Sequence, residues 1–137
     1  MTNFSGSIPG GDGLNVFTKS MPIYNEKRVT WDKLFGDLVE GDTLTPKGII
    51  YTVIEIADGV YVDFYNIHAD AFDTEGSRKA RESNYKQLMA MVEENSAKNN
   101  RPVIITGTST SSSTRLLKQT AICIRFSMRT AASRMHG

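Results

Sequence analysis

The sequence predicts one α+β domain, because two β-rich runs, an amphipathic helical segment and a further short apolar run follow one another in the middle of the chain. Residues 49–56 and 60–67 are rich in Ile, Val and Tyr, and the pair Asp58-Gly59 separates them. Such a pair between two β-rich runs is a strong short-range signal for an antiparallel hairpin. With 137 residues, of which 39% are hydrophobic, the chain is long enough to bury a core.

A helix is expected after this hairpin, over residues 75–95. Side chains recur there at steps of three and four residues and form one stripe, which is typical of a helix that packs on a sheet. The stripe consists of Ala80, Asn84 or Tyr85, Leu88, Met89 and Val92. Thr74 or Ser77 is suited to cap the start of the helix, because a hydroxyl there accepts a bond from a main-chain N–H.

Two further strands are predicted from short apolar runs. The run 102–106, closed by Gly107, is expected to pair with 60–67, so that strand, helix and strand form a right-handed crossover unit. Residues 14–17 are interpreted as a short strand. Residues 18–48 are interpreted as an ordered excursion between strands, because aromatic residues and turn formers are scattered through them.

The charge of the chain divides it into two unequal pieces. Residues 1–94 hold nine Lys and Arg against 15 Asp and Glu, a net charge of −6, whereas residues 95–137 hold seven Lys and Arg and no acidic residue. Eleven of the residues after Gly107 are Ser or Thr. This break predicts a domain over 1–107 and a divergent, basic, Ser/Thr-rich tail over 108–137.

The composition argues against three kinds of protein. The longest apolar stretches are far shorter than the ~20 residues of a membrane-spanning helix. The first residues have neither the basic start nor the apolar run that a signal peptide needs, and no compartment is assigned. A single cysteine, Cys123, excludes an intramolecular disulfide and a cysteine-cluster metal site.

Polar side chains are expected to converge where the run 60–67 ends. Asn66, His68 and Asp70 alternate along the chain, which predicts that all three lie on one side of a strand. A carboxamide, an imidazole and a carboxylate at one strand end are suited to bind a phosphate, position water or hold a hydrated metal ion. The alternative is a strand end whose polar groups bond to neighbouring loops. Lys47 either faces such a site or, as we expect, lies on the surface with its charge in water.

A family resemblance is carried by the stretch KGIIYTVIEIADGVYVDFYNIHADAFDTEGSRKARESNYKQLMAMV, followed by RPVIITG. These motifs resemble the endonuclease/exonuclease/phosphatase superfamily, the DNase I-like phosphoesterases, and most of all its secreted-type fungal members. An Asn-x-His strand end, an Arg-x-x-Asn-x-x-Gln-Leu helix and an apolar strand ending in glycine occur in the same order there. The helix motif consists of Arg81, Asn84, Gln87 and Leu88. Upstream, GDGLNVFTKSMPIYN is also similar, so the resemblance covers residues 10–107 or thereabouts.

The resemblance implies a partial two-sheet α/β sandwich of the DNase I-like type, with its site at the strand ends. Members of the superfamily hydrolyse phosphodiesters or phosphomonoesters with Mg²⁺, and longer relatives are secreted. His68 matches the catalytic histidine that contacts the scissile phosphate, and Asn66 matches its phosphate-binding neighbour on the same strand. Asp70, together with water, is expected to bind Mg²⁺ only weakly. The implied partner is a phosphate-ester substrate.

The chain departs from the pattern of the superfamily at three positions. Residues 107–110 read Gly-Thr-Ser-Thr where the family has Gly-Asp-x-Asn, and the hydroxyl of Thr108 supplies no negative charge at neutral pH. The upstream metal-binding glutamate has no match. The closing Asp-His pair has none either, because Met135 precedes His136. We therefore expect a truncated or degenerate domain that is weakly active or inactive.

A non-catalytic binding protein that uses its basic tail is the alternative function. Five cations of the tail are available to contact nucleic acid or another anionic partner: Arg115, Lys118, Arg125, Arg129 and Arg134. Only Phe126 lies among them as an aromatic residue, so sequence-specific recognition is not expected. A third interpretation is an altered splice or reading frame after Thr114, because composition and motif change at the same place.

Overall fold

One mixed β-sheet and one long helix make up the part of the chain that the computed structural model describes, which is residues 12–34, 47–70, 72–108 and 122–124. The strands follow one another in the sheet in chain order. They are β1 (Ile23–Thr30), β2 (Gly48–Ala57), β3 (Val60–His68), β4 (Val103–Thr108) and β5 (Ile122–Ile124). The helix α1 (Glu75–Val92) lies between β3 and β4 in the chain and continues as a π-helical turn over Glu93–Ala97.

The predicted hairpin is confirmed. Strands β2 and β3 pair antiparallel from Ile49 opposite Ile67 to Ala57 opposite Val60. The connecting turn contains Gly59 with a φ of +69°, a left-handed conformation that glycine adopts without steric cost. Because most of β2 is buried, its near-continuous apolar sequence reflects contacts on both faces of the sheet.

The predicted strand 102–106 is also confirmed, and it forms β4. Strand β4 runs parallel to β3, from Asp63 beside Val103 to His68 beside Thr108. A parallel pair needs a long crossover connection, and α1 supplies it. On its other side β4 pairs antiparallel with β5, so three residues of the predicted tail join the sheet. The separate character of the rest of that tail stays a prediction, because residues 109–121 and 125–137 lie outside the described residues.

The two faces of the sheet have separate cores. On the first face, residues of β2, β3 and β4 pack with Trp31 and with the helix residues Leu88, Met91 and Val92. On the second face, Leu14 and Val16 pack on Ile50 and Ile54. The sheet is thus covered by a helix on one side and, on the other, by an extended segment that precedes β1.

The strand predicted over residues 14–17 is wrong, although two of its side chains are buried. Side chains, and not a neighbouring strand, bond to both main-chain groups of Leu14. The Leu14 N–H donates to Asp12 Oδ1 at 3.0 Å, and the Leu14 carbonyl accepts from Arg28 Nη1 at 3.0 Å. Arg28 Nη1 also lies 2.7 Å from both carboxylate oxygens of Asp12, which fixes this segment against β1.

The helix prediction is confirmed in extent and corrected at one position. Thr74 is the N-cap, and its hydroxyl accepts from the Ser77 N–H at 3.1 Å. Met89, predicted on the packed stripe, is 48% exposed, whereas Met91 is 8% exposed and belongs to the core. A step of one residue rotates the side chain by about 100°, so Met89 points away from the line through Leu88.

Strand β1 lies inside the segment 18–48, for which the sequence predicts an ordered excursion and no strand. Its pairing with β2 is interrupted by an irregularity between Tyr24 and Lys27, and Asn25 has a φ of +51°. The irregularity breaks the period of two by which a strand is recognised. Residues 35–46 of that excursion lie outside the described residues.

Replacement of Thr52 by valine is expected to stabilise the fold. Thr52 is fully buried between Ile50 and Ile54, and its hydroxyl has no hydrogen-bond partner among the described residues. An unpaired buried hydroxyl costs about 1–3 kcal/mol, and valine has nearly the same shape without it. Thr52→Val should therefore raise the free energy of unfolding in urea by about 1 kcal/mol.

Thr74→Val is the matched control, because that hydroxyl is bonded as the N-cap of α1. It should lower the free energy of unfolding by about 1 kcal/mol. A loss of stability in Thr52→Val as large as that in Thr74→Val would contradict the assignment of an unpaired hydroxyl at Thr52.

Candidate functional site

Four polar side chains lie together where β3 and β4 end. In the parallel register Asn66 lies beside Thr106, and His68 lies beside Thr108. Register partners in neighbouring strands point to the same face, so these four form a small polar cluster. All four are half-buried. The carboxyl edge of an open α/β sheet is the usual place for a ligand crevice, and this cluster lies at that edge.

Gly107 makes the close approach of the two strands possible. Its φ is +128°, and a Cβ atom on it would lie 1.9 Å from the carbonyl oxygen of Ile67. Beyond the glycine the ladder continues, because the Ala69 N–H donates to the Thr108 carbonyl at 3.1 Å. The glycine that closes the apolar run in the sequence is therefore required by the geometry of the site.

The carboxamide of Asn66 is oriented by a residue that sequence reasoning missed. Its Nδ2 donates to the main-chain carbonyl of Asn15 at 3.2 Å. The side-chain oxygen of Asn15 is itself buried and has no hydrogen-bond partner within the described ranges. No sequence signal pointed to Asn15 beyond its place in the GDGLN motif, because the contact joins residues 51 positions apart.

The main chain at His68 is held by a buried tryptophan. The indole Nε1 of Trp31 donates to the His68 carbonyl at 2.6 Å, and the Trp31 N–H donates to the Lys47 carbonyl at 3.2 Å. Trp31 lies just after β1, so its main chain joins the end of β1 to the start of β2, and its side chain reaches the end of β3. This contact fixes the position of the strand end that carries the His68 imidazole.

Lys47 and Asp70 form a buried ion pair next to this strand end. Lys47 Nζ lies 3.8 Å from Asp70 Oδ1, and the two side chains are 3% and 1% exposed. The expectation that Lys47 lies on the surface is therefore wrong: burial of one charge is compensated by the other. Strand β3 ends at His68, so Asp70 lies beyond the strand. The alternation of side chains along a strand, which relates Asn66 to His68, therefore does not fix the side on which Asp70 lies.

Helix α1 anchors the loop that follows β3. Arg81 Nη1 donates to the carbonyls of Asp70, at 3.4 Å, and of Phe72. Asn84 Oδ1 accepts from the Asp70 N–H at 3.3 Å, while Asn84 Nδ2 donates to the Lys33 carbonyl at 2.9 Å. Both side chains are buried, so these bonds form in surroundings where an unpaired group would be unfavourable.

The third polar residue of the helix motif, Gln87, holds the end of β1 in the same way. Its Nε2 donates to the Thr30 carbonyl at 3.1 Å, and its Oε1 accepts from the Asp32 N–H at 2.9 Å. The spacing of three residues between Arg81, Asn84 and Gln87 aligns them along one side of α1. The motif seen in the sequence thus fastens the loops after β1 and β3 to the helix.

The described residues do not complete a magnesium site. No group of three or more His, Cys, Asp or Glu side chains suited to hold a metal ion occurs in the described part of the chain. The carboxylate of Asp70 is paired with Lys47, which competes with a cation for it. The roles of Asp70 in metal binding and of His68 and Asn66 toward phosphate stay predictions.

A second polar group lies near the opposite end of the sheet, beside a cleft of about 640 Å³. Arg101 Nε lies 2.6 Å from Asp63 Oδ1, and Arg101 Nη2 donates to the Tyr51 hydroxyl at 3.1 Å. The neighbouring Tyr65 hydroxyl is bonded to Ser96 at 2.8 Å, and burial raises the pKa of Tyr65 to about 12. The Tyr65 phenol therefore stays protonated at neutral pH and is shielded from water. Its role is in the packing of the core and not in acid–base chemistry.

The comparison with known proteins agrees with this architecture. Over 100 residues the chain is 31% identical to the sphingomyelinases of Mycobacterium bovis and Mycobacterium tuberculosis. The alignment covers 73% of this chain and only 18% of the length of each relative. The crystal structure of SmcL matches with a TM-score of 0.56 at 20% identity, over 64% of this chain and 30% of that chain. No protein-family model matches the sequence.

These likenesses define the class of fold. The match with SmcL confirms the predicted fold class, since the described sheet and helix form part of an α/β fold of the DNase I-like type. The described residues contribute a single sheet of that fold. Among them, no helix has the length and apolar character to cross a bilayer.

Replacement of Gly107 by alanine is expected to disrupt the site and the fold together. The new Cβ would clash with the Ile67 carbonyl and would require a strained φ, so the free energy of unfolding should fall by about 3 kcal/mol or more. Gly59→Ala is the matched control, because it has a positive φ but no atom within 4 Å of the added Cβ. It should lose only about 1–2 kcal/mol. Equal losses in urea denaturation would show that the close approach at Gly107 is not essential.

Proposed function

We propose that this chain is part of a metal-dependent phosphoesterase of the DNase I-like superfamily, with its phosphate site at the carboxyl ends of β3 and β4. The observation that carries the proposal is the parallel register, in which Asn66 and His68 lie beside Thr106 and Thr108. Similarity to sphingomyelinases over 73% of the chain supports the same assignment. In this proposal residues 1–107 are part of the phosphoesterase domain, and residues 108–137 are a divergent basic tail that contributes Thr108 and β5 to the sheet.

Each residue of the cluster has a role that its chemistry allows. The His68 imidazole contacts the phosphate that is to be cleaved, as the resemblance implies. Asn66 uses one N–H of Nδ2 for the Asn15 carbonyl, and a carboxamide has a second N–H, which is available to a phosphate oxygen. The hydroxyl of Thr108 adds a further donor on the same face, whereas the Thr106 hydroxyl donates to the Tyr65 carbonyl at 3.5 Å. Asp70 would be at most a weak ligand for Mg²⁺, because its buried carboxylate is already paired with Lys47.

We expect binding to be better preserved than hydrolysis. Thr108, which lies beside His68, stands where the superfamily has the aspartate that orients the attacking water. A hydroxyl can donate to a phosphate oxygen but does not attract a proton as a carboxylate does. Loss of a single preorganised group of this kind lowers kcat by about 10²–10³-fold.

Sphingomyelin is the first substrate to examine, because the mycobacterial proteins that are 31% identical to this chain are named sphingomyelinases. The finer assignment to secreted-type fungal members is a hypothesis that rests on the sequence motifs alone. A nucleic acid is the second candidate, and the observation that favours it is the net charge of +7 over residues 95–137, seven Lys and Arg with no acid.

The proposal is tested with His68→Ala, and with His136→Ala as the matched control, since these are the two histidines of the chain. Binding of inorganic phosphate is measured by calorimetry, with and without Mg²⁺. His68→Ala should weaken it about tenfold, as expected for one charge-assisted hydrogen bond, and His136→Ala should leave it unchanged. Release of phosphocholine from sphingomyelin vesicles should stay near background in all three proteins.

Two results would contradict this assignment in different ways. Equal phosphate affinity in wild type and His68→Ala would show that the site lies elsewhere. Rapid Mg²⁺-dependent hydrolysis that His68→Ala abolishes would show that Thr108 is no obstacle to catalysis, and that the chain is a fully active enzyme.

A further inference from the structure

We propose that Asn15 is a specificity-determining residue of this site. Its carboxamide oxygen accepts a hydrogen bond from a hydroxyl or N–H group that the phosphate ester carries next to its phosphate. The inference rests on the proposed function, and it narrows the substrate class to phosphate esters with a hydrogen-bond donor beside the ester bond.

The first argument is the unpaired state of the Asn15 side-chain oxygen. Three buried side-chain oxygens have no hydrogen-bond partner among the described residues, and they belong to Asn15, Thr52 and Asp63. Thr52 lies on β2 opposite Phe64, between two residues of the second-face cluster, and Asp63 is engaged by Arg101. Asn15 is the one of the three that has a hydrogen bond with the phosphate-site cluster, since its main-chain carbonyl accepts from Asn66.

The second argument is the fixed position of Asn15. The side chains on either side of it, Leu14 and Val16, are both 6% exposed in the core of the second face. Its main-chain carbonyl oxygen lies 3.2 Å from Asn66 Nδ2. Four covalent bonds separate the carbonyl carbon of Asn15 from its side-chain oxygen. Covalent geometry therefore keeps that oxygen within about 8 Å of the Asn66 amide.

The third argument is the chemistry of the acceptor. The oxygens of a phosphate ester are acceptors, so the oxygen of a carboxamide has no favourable contact with them. A donor on the remainder of the substrate would satisfy it. Asn15 as a whole is half-buried, and χ2 of asparagine is a soft torsion. Rotation about χ2 redirects the oxygen without movement of the main chain.

The test compares glycerol 3-phosphate with n-propyl phosphate. The two ligands share charge and chain length and differ in two hydroxyl groups. Their dissociation constants are measured by calorimetry on wild type, on Asn15→Leu, which has a similar shape and no acceptor, and on Thr52→Val as the matched control. Thr52→Val also removes an unpaired buried oxygen from the same face of the sheet, but at a position opposite Phe64 and not opposite Asn66.

Wild type and Thr52→Val should bind glycerol 3-phosphate about tenfold more tightly than propyl phosphate, as expected for one hydrogen bond. Asn15→Leu should bind the two ligands equally and should unfold at a higher temperature than wild type when no ligand is present. This combination distinguishes a ligand-binding residue from a structural one, whose removal would lower stability and leave the ratio of affinities unchanged. Should Asn15→Leu fail to fold, Asn15→Ala provides the same comparison.

The outcomes separate this inference from the proposed function. Equal affinity of wild type for the two ligands, or a tenfold ratio that persists in Asn15→Leu, would overturn the role of Asn15 and leave the phosphate site intact. Absence of binding of both ligands to wild type would overturn the proposed function, and the role of Asn15 with it.

Discussion

The parallel pairing of β3 with β4 is the constraint on which the rest of the structure depends. Six consecutive residue pairs bring the carboxyl ends of both strands to one edge of the sheet, and the last pair is His68 with Thr108. At the fifth pair the main chains approach so closely that no side chain fits on Gly107. The hydrogen bonding between β3 and β4 continues past this glycine, to the bond between the Ala69 N–H and the Thr108 carbonyl. Polar side chains from two distant parts of the sequence therefore lie next to each other at the ends of the two strands.

The two faces of the sheet then have different chemistry. The face that packs on α1 is apolar over most of its area, and the polar residues of the helix bond to loops beyond the strands. The opposite face is apolar where Leu14 and Val16 pack on it, and it is polar at the carboxyl ends of β3 and β4. Since the helix lies on the first face, its side chains anchor the loops around the site without occupying the site itself. Trp31 completes this support through the His68 carbonyl.

Features set by short-range patterns were predictable from the sequence, and features set by long-range contacts were not. The hairpin, the helix and β4 each follow from a period or a turn signal within about 20 residues. Strand β1 escaped prediction because its irregular pairing interrupts the period. Asn66 and His68 were found through alternation in a single strand. Lys47 and Asn15 were missed because each acquires its partner only on folding, across 23 residues in one case and 51 in the other.

The composition of the strand-end cluster determines what kind of chemistry it supports. In the proposed site Asn66 and Thr108 offer neutral donors, which would stabilise a bound phosphate before and during reaction to a similar extent. Interactions of that uniform kind strengthen binding without lowering the barrier from the bound state. Acceleration needs a group that acts more strongly in the transition state, such as a carboxylate that orients the attacking water. The nearest carboxylate in the sequence, Asp70, is instead engaged by Lys47 in a buried pair. In the proposed function, the described cluster is therefore expected to recognise a phosphate ester better than it cleaves one.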